Sequence, residues 1–258
     1  MADTTFIAVG DVMVDVTASG AGHAARIALG AGGSAVNAAI WAAAAGAHAA
    51  VVGRVGDDLG GQALRTALEE RGVRSDLTVD VDAPTGTFLL VDGEIRADRG
   101  ANARFEPAHL PDRLVADAVL VSGYLPAPTV TAALARADGT WVALAPAFLD
   151  PVPPDADAIL VDDGEARRLT GSAPEEAARI LGRSFRLVCV TSGADGAVAV
   201  LDGRLETSRP EPVDSVGPVG AGDAFAAGFL VALAGGADLR DALEAGCRLG
   251  ATVAAGVS

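Results

Sequence analysis

The run Ala118-Val-Leu-Val-Ser122 is apolar at consecutive positions rather than at alternate ones. A strand of that kind is buried on both faces, the condition of a parallel sheet covered by helices. Residues 6–9, 49–55, 141–144, 158–161 and 187–191 read the same way. Helical stretches lie between them, at residues 33–46, 61–71, 175–181, 224–234 and 239–253. In 61–71, Ala63, Leu64, Ala67 and Leu68 share one stripe and Gly72 ends the helix. The alternation predicts one α/β domain over residues 1–258, with ligands bound beyond the carboxyl ends of the strands.

Two stretches interrupt the alternation. Residues 14–29 are small, polar and Gly-rich, and residues 85–99 read as a hairpin turning at Asp92-Gly93. Both fit either β additions to the core or surface loops.

Composition narrows the function. Half of the 258 residues are apolar, which excludes disorder. The longest apolar run, residues 38–45, is too short to span a bilayer. With 34 acids against 19 bases the net charge is −15, so nucleic acid and anionic membranes are not expected partners. All 19 bases are Arg. A lysine-free chain has no Walker A loop, no Schiff-base nucleophile and no protein-kinase strand lysine. Cys189 and Cys247 form no CxxC and no signal peptide is evident, so a reduced, cytoplasmic setting is expected. His23, His48 and His109 have no metal-ligand spacing. Gly20-Ala-Gly22-His-Ala-Ala25 mimics a dinucleotide fingerprint, but no acid follows about 20 residues later.

Four constellations carry possible chemistry. In Gly217-Pro-Val-Gly220-Ala-Gly-Asp223, Gly220, Ala221 and Gly222 open an apolar helix, where bare backbone N–H groups can hold an anion. Asp223 there either accepts a proton from an attacking hydroxyl or caps the helix. Asp11, Asp15 and Asn37, with Gly32-Gly33, form a set for vicinal hydroxyls, or else Asp11 and Asp15 are solvated loop acids. Asp162 and Glu165, after a strand, either hold hydrated Mg²⁺ near phosphates or form a capping pattern. Thr191-Ser-Gly193-Ala-Asp-Gly196 either meets a nucleotide phosphate or makes a tight hairpin turn.

Taken in order, these pieces resemble the ribokinase-like (PfkB) family of carbohydrate kinases over nearly the whole chain. Gly10-Asp11-x-x-x-Asp15 resembles its opening sugar motif, and Gly32-Gly33-Ser-Ala-Val-Asn37 its GGxxxN. Gly53-Arg-Val-Gly56-Asp57-Asp58-x-x-Gly61 resembles its first signature, Pro84-Thr85-Gly86 and Gly100-Ala-Asn102 its lid elements, and Gly220-Ala-Gly-Asp223-Ala-Phe its second signature. The resemblance implies a three-layer α/β/α core with a mostly parallel sheet. A small β lid, about residues 15–31 and 84–99, would close over a sugar. It implies ATP and Mg²⁺, with γ-phosphoryl transfer to a sugar hydroxyl and Asp223 as general base. Gly220, Ala221 and Gly222 would form the anion hole, and Asp11, Asp15, Gly32, Gly33, Asn37, Asn102 and Tyr124 the substrate side. Asp162, Glu165, Thr191, Gly193 and Gly196 would line the nucleotide side, Glu165 reaching Mg²⁺ through water.

The chain departs from the family at Asp162, usually Asn, and at Gly217, usually Asp. It also stops at Ser258, soon after its last helix, so no monovalent-cation site is expected. Ribokinases tend to place Glu where Tyr124 stands, and Val121-Ser-Gly-Tyr124 looks more like sugar and ketodeoxysugar kinases. Arg96 or Arg99 is a candidate partner for a substrate carboxylate. Neutral sugars, ketodeoxy acids and nucleosides stay open as acceptors, as does a non-catalytic binding role. Relatives often pair through the lid, so monomer and homodimer are both open.

Overall fold

The computed structural model describes residues 4–213 and 219–256. The chain opens with β1 (Thr5–Val9), a hairpin of β2 (Met13–Ser19) and β3 (Arg26–Gly32), α1 (Ser34–Ala44), β4 (His48–Gly56), α2 (Leu59–Glu70) and β5 (Arg74–Asp80). A second hairpin, β6 (Gly86–Val91) and β7 (Glu94–Asp98), precedes β8 (Leu114–Val115), β9 (Ala118–Ser122), α3 (Ala127–Arg136), β10 (Ala137–Asp138) and β11 (Trp141–Ala145). Next come β12 (Ala158–Asp162), α4 (Asp163–Thr170), α5 (Pro174–Leu181) and β13 (Leu187–Thr191). The last elements are β14 (Ala197–Leu201), β15 (Arg204–Ser208), α6 (Ala221–Ala234) and α7 (Leu239–Ala254).

Nine strands form one sheet in the order β15-β14-β13-β12-β11-β9-β1-β4-β5. From β13 to β5 every neighbour is parallel, and β14 and β15 add an antiparallel edge. The strand pleat sorts the core into two layers. Phe6 and Ala8 of β1 pack with α1, α2, α6 and α7, whereas Ile7 and Val9 pack with α3, α4 and α5. That makes the α/β/α sandwich predicted from the doubly apolar runs. Full burial of Phe6, Ile159 and Phe229 contributes about 1.5–3 kcal/mol each. Among the described residues, no helix is long and apolar enough to cross a membrane.

The two interrupting stretches are strands, not loops. They pair into a separate sheet in the order β3-β2-β6-β7. Asp92 (φ 48°) and Gly93 (φ 88°) make the two-residue turn expected between β6 and β7. The dinucleotide-like Gly20–Ala25 sequence is the tip of the β2–β3 hairpin, with no strand-to-helix crossing for a cofactor. Asp15 lies in register with Gly30 on one side and Phe88 on the other, and Ala97 completes that row. Val16, Leu29, Leu89 and Arg96 form the next row, on the opposite face.

One side chain joins this sheet to the core. Asn102 is fully buried. Its Oδ1 accepts from the Val12 amide at 2.9 Å, and its Nδ2 donates to the carbonyls of Val12 at 2.9 Å and Arg99 at 3.1 Å. Val12 lies where the chain leaves β1, and Arg99 where it returns from β7. Asp58 makes a second tie, capping α2 through Gly61 N and accepting from the amide and hydroxyl of Thr85.

Candidate active site

The parallel strands all end on one side, and β1, β9, β11, β12 and β13 deliver Asp11, Tyr124, Phe148, Asp162 and Thr191 to that edge. The chain turns from β3 into α1 at Gly33, whose φ of 92° is left-handed. A Cβ there would sit 2.4 Å from the Asp11 carbonyl oxygen, so the approach admits only glycine. Asp11 is buried, its Oδ2 accepting from the Ser34 amide at 3.2 Å. Gly32 leaves room for a neighbouring carboxylate, since a Cβ on it would lie 2.1 Å from Asp15 Cγ. Asp11 and Asp15 therefore crowd the start of α1. Burial raises the Asp11 carboxyl. Burial, reinforced by the Asp11 charge, pushes Asp15 up to about 6.

Asp223 closes this cluster from the other half of the chain. It sits in the first turn of α6, which begins at Gly220 with a left-handed φ of 82°. Its Oδ1 accepts from the Ser34 hydroxyl at 2.7 Å and its Oδ2 from Asn37 Nδ2 at 3.1 Å. Ser34 and Asn37 are one turn apart on α1, so one helix face grips both carboxylate oxygens. Burial pushes Asp223 up to about 7. The Ser34 and Asn37 hydrogen bonds oppose that rise, and the charges of Asp11 and Asp15 add to it. An oriented carboxylate that titrates near neutrality can take up a proton.

Next to Asp223 the start of α6 borders a hollow. The first helical bond of α6 runs from Ala224 N to Gly220 O, which leaves the amides of Ala221, Gly222 and Asp223 without partners inside the helix. A Cβ on Gly222 would meet nothing within 4 Å, so the start of α6 is open at that residue. Beside it lies a cavity of about 410 Å³ lined by Thr191, Gly193, Gly196, Gly222, Phe225 and Cys247. It continues into a groove of about 810 Å³ flanked by Arg209, Arg240 and Arg248. Bare amides at a helix start, an apolar cavity and nearby arginines suit a nucleotide polyphosphate.

Several expectations need adjustment. Asn102, expected on the substrate, is locked into the backbone and positions the Asp11 strand instead. Arg96 lies on the lid face opposite Asp15 and pairs with Glu94 at 3.2 Å, so it cannot meet a substrate carboxylate. Arg99 does reach the edge, where its guanidinium donates to the Tyr124 carbonyl. Asp162 and Glu165 form a reciprocal capping box on α4, at 2.7 and 3.0 Å. Burial, outweighing these bonds, raises the Glu165 carboxyl. Among the described residues no group of three or more His, Cys, Asp or Glu could hold a metal ion. Residues 192–196 are the turn of the β13–β14 hairpin and also a wall of the cavity. Gly217 lies outside the described residues. Ser34 escaped the sequence reading, although it stands inside the Gly32–Asn37 motif one turn before Asn37.

The pfkB family carbohydrate kinase model matches residues 3–257. The chain is 32% identical over 241 residues to 1-phosphofructokinase of Haloferax volcanii, spanning 84% of this chain and 77% of that one. It is also 32% identical over 234 residues to ribokinase of Bacillus subtilis, spanning 83% and 77%. The ribokinase structure from Thermotoga maritima superposes with a TM-score of 0.86 at 22% identity, covering 98% of this chain and 93% of the other. The four-stranded sheet is thus the lid of a ribokinase-like fold, and the chain belongs to the pfkB family of carbohydrate kinases, ATP-dependent phosphotransferases.

Proposed function

We propose that this kinase moves the γ-phosphoryl of ATP to a hydroxyl of a small sugar-like acceptor, with Asp223 as general base. The observation that carries the reading is the position of Asp223. It sits in the first turn of α6, gripped by Ser34 and Asn37 beside Asp11 and Asp15, and next to a cavity lined by Ala221 and Gly222. The acceptor lies on the lid side, its hydroxyls met by Asp15 and Asn37. The reacting hydroxyl gives its proton to Asp223 while its oxygen bonds to the γ-phosphorus. The bond from that phosphorus to the ADP oxygen breaks, and ADP keeps the electron pair. The amides of Ala221, Gly222 and Asp223 stabilise the charge on the transferring group.

Mg²⁺ supplies further charge neutralisation when bound with ATP. Glu165 and Asp162 stand on that side, and with their capping bonds made they would hold the ion through water. The lid excludes water, which otherwise competes as acceptor. No lysine is required, because backbone donors and the ion carry the phosphate charge.

The test is ADP release from ATP and Mg²⁺ across sugars, ketodeoxy acids and nucleosides, with Asp223→Asn beside the wild type. The variant should lose turnover by about 10²–10⁴-fold and keep acceptor binding. Turnover that survives the substitution would remove Asp223 from the role.

A further inference from the structure

We propose that the acceptor is an uncharged polyhydroxylated molecule whose apolar face rests on the Tyr124–Phe148 pair, and that phosphorylated sugars and sugar acids are rejected. This rests on the phosphotransferase reading above and narrows it to a substrate class.

The site is rich in negative charge. Asp11, Asp15 and Asp223 gather at the start of α1, where Asp11 accepts from the Ser34 amide, Asp223 from the Ser34 hydroxyl, and Asp15 fills the space beside Gly32, while Asp162 and Glu165 stand at the head of α4 on the same edge of the sheet. Against these carboxylates stands Arg99, already bonded to the Tyr124 carbonyl. Arg26 shares the Asp15 face of the lid but lies towards the hairpin tip, in register with Ser19, and three other arginines are engaged elsewhere. Arg54 and Arg104 both pair with buried Asp80 at 2.9 Å, and Arg168 donates to the Ala147 carbonyl at 2.7 Å. Arg96 is on the wrong face of the lid. An anionic acceptor would add charge to a cluster whose Asp15 and Asp223 carboxyls are raised by burial first and by neighbouring carboxylates second. A neutral polyol finds acceptors for its hydroxyl protons and meets no repulsion.

Phe148 is 82% exposed and meets Tyr124, itself 46% exposed, edge to face, with centroids 5.7 Å apart and planes at 74°. Ala147 has a φ of 48°, and the bond from Arg168 fixes its carbonyl, so the loop after β11 projects Phe148 outward. The Tyr124 amide donates to Ser122 Oγ at 3.4 Å, and that hydroxyl donates to Asp11 Oδ1 at 3.4 Å, which places the pair beside the carboxylate cluster. Carboxylates on one side and an aromatic face on the other fit a ligand with a hydroxyl edge and an apolar C–H face or aglycone.

The test is calorimetric titration of the full chain at about pH 8, where the carboxylates are ionised, with a non-hydrolysable ATP analogue present. The matched probes are ribose and ribose 5-phosphate, fructose and fructose 1-phosphate, glucose and gluconate, and adenosine and AMP. In the pair that binds, the neutral member should bind at least about tenfold more tightly. Asp15→Asn should narrow that gap. Phe148→Ala should weaken the neutral ligand by about three- to tenfold and leave binding of the ATP analogue unchanged. Tighter binding of any anionic member, a gap unmoved by Asp15→Asn, an unchanged affinity in Phe148→Ala, or no binding by any pair would each overturn the proposal. Failure of the phosphotransferase reading is a different result: a neutral ligand that binds but releases no ADP from ATP.

Discussion

Replacing Ser34 with alanine removes the 2.7 Å hydrogen bond to Asp223 Oδ1 and leaves the packing of α1 otherwise intact. A hydrogen bond to a charged group is worth about 1.5–3 kcal/mol, or about one to two pKa units. Asp223 is only half-buried, so water recovers part of that, and one unit is the fitting estimate. The carboxyl, already pushed up to about 7, should then titrate near about 8. A general base works only when ionised, so the rate falls on the acid side. At pH 7 the ionised fraction drops from about one half to about one tenth, and kcat/KM should fall about fivefold. Near about pH 9.5 the variant should approach wild-type rates. The assay is initial-rate ADP release at low acceptor concentration between about pH 5.5 and 9.5. An acid limb that stays in place, with the same loss at every pH, would refute the argument and leave Ser34 a merely structural role.

Three further outcomes follow from the same geometry. Gly222→Ala should fold normally, since its Cβ meets nothing within 4 Å, yet raise the KM for ATP by about tenfold by intruding on the phosphate donors. Asp223→Asn should stabilise the protein. A folded-state pKa raised from 3.8 to about 7 gives stability that is complete below the unfolded value and lost as pH rises through about 7. Chemical denaturation should therefore show the variant ahead by about 1–2 kcal/mol at pH 8, after allowance for partial exposure, and by less at pH 5. Asn102→Ala should cost about 2–4 kcal/mol by orphaning the buried backbone groups of Val12, and should also raise the acceptor KM through the displaced Asp11 strand.

The central sheet was legible because 118–122, 158–161 and 187–191 are apolar without alternation, and only a doubly covered strand has that pattern. The edges were not. β5 and β15 carry Arg, Asp and Glu among their apolar residues, because an edge strand meets solvent on one side. The turn Asp202-Gly203, with φ values of 49° and 83°, repeats the Asp92-Gly93 turn. Asp92-Gly93 gave away its hairpin, but the stretch before Asp202 reads as an ordinary apolar run. In the site, the motif glycines and Asp223 could be read from spacing. Asn102 shows what spacing cannot tell, since an amide in a family motif faces substrate or frame according to which backbone groups lie beside it. Phe148 shows another limit, because its exposure depends on a left-handed alanine that no pattern announces.

The split of the site along the chain has a consequence for how this enzyme can change over time. The proposed acceptor contacts come from residues 11–148 and the proposed nucleotide contacts from residues 162–254. Among the described residues, the side-chain bonds across that divide at the reacting centre are the two from Ser34 and Asn37 to Asp223. A lineage can therefore drift in one half, trying new sugars on the lid and the β9 and β11 loops, without retuning the half that handles the phosphate donor. Ser34 and Asn37 are the exception. They belong to the first half but hold a group of the second, so they are the positions where a new acceptor preference would have to be reconciled with the chemistry.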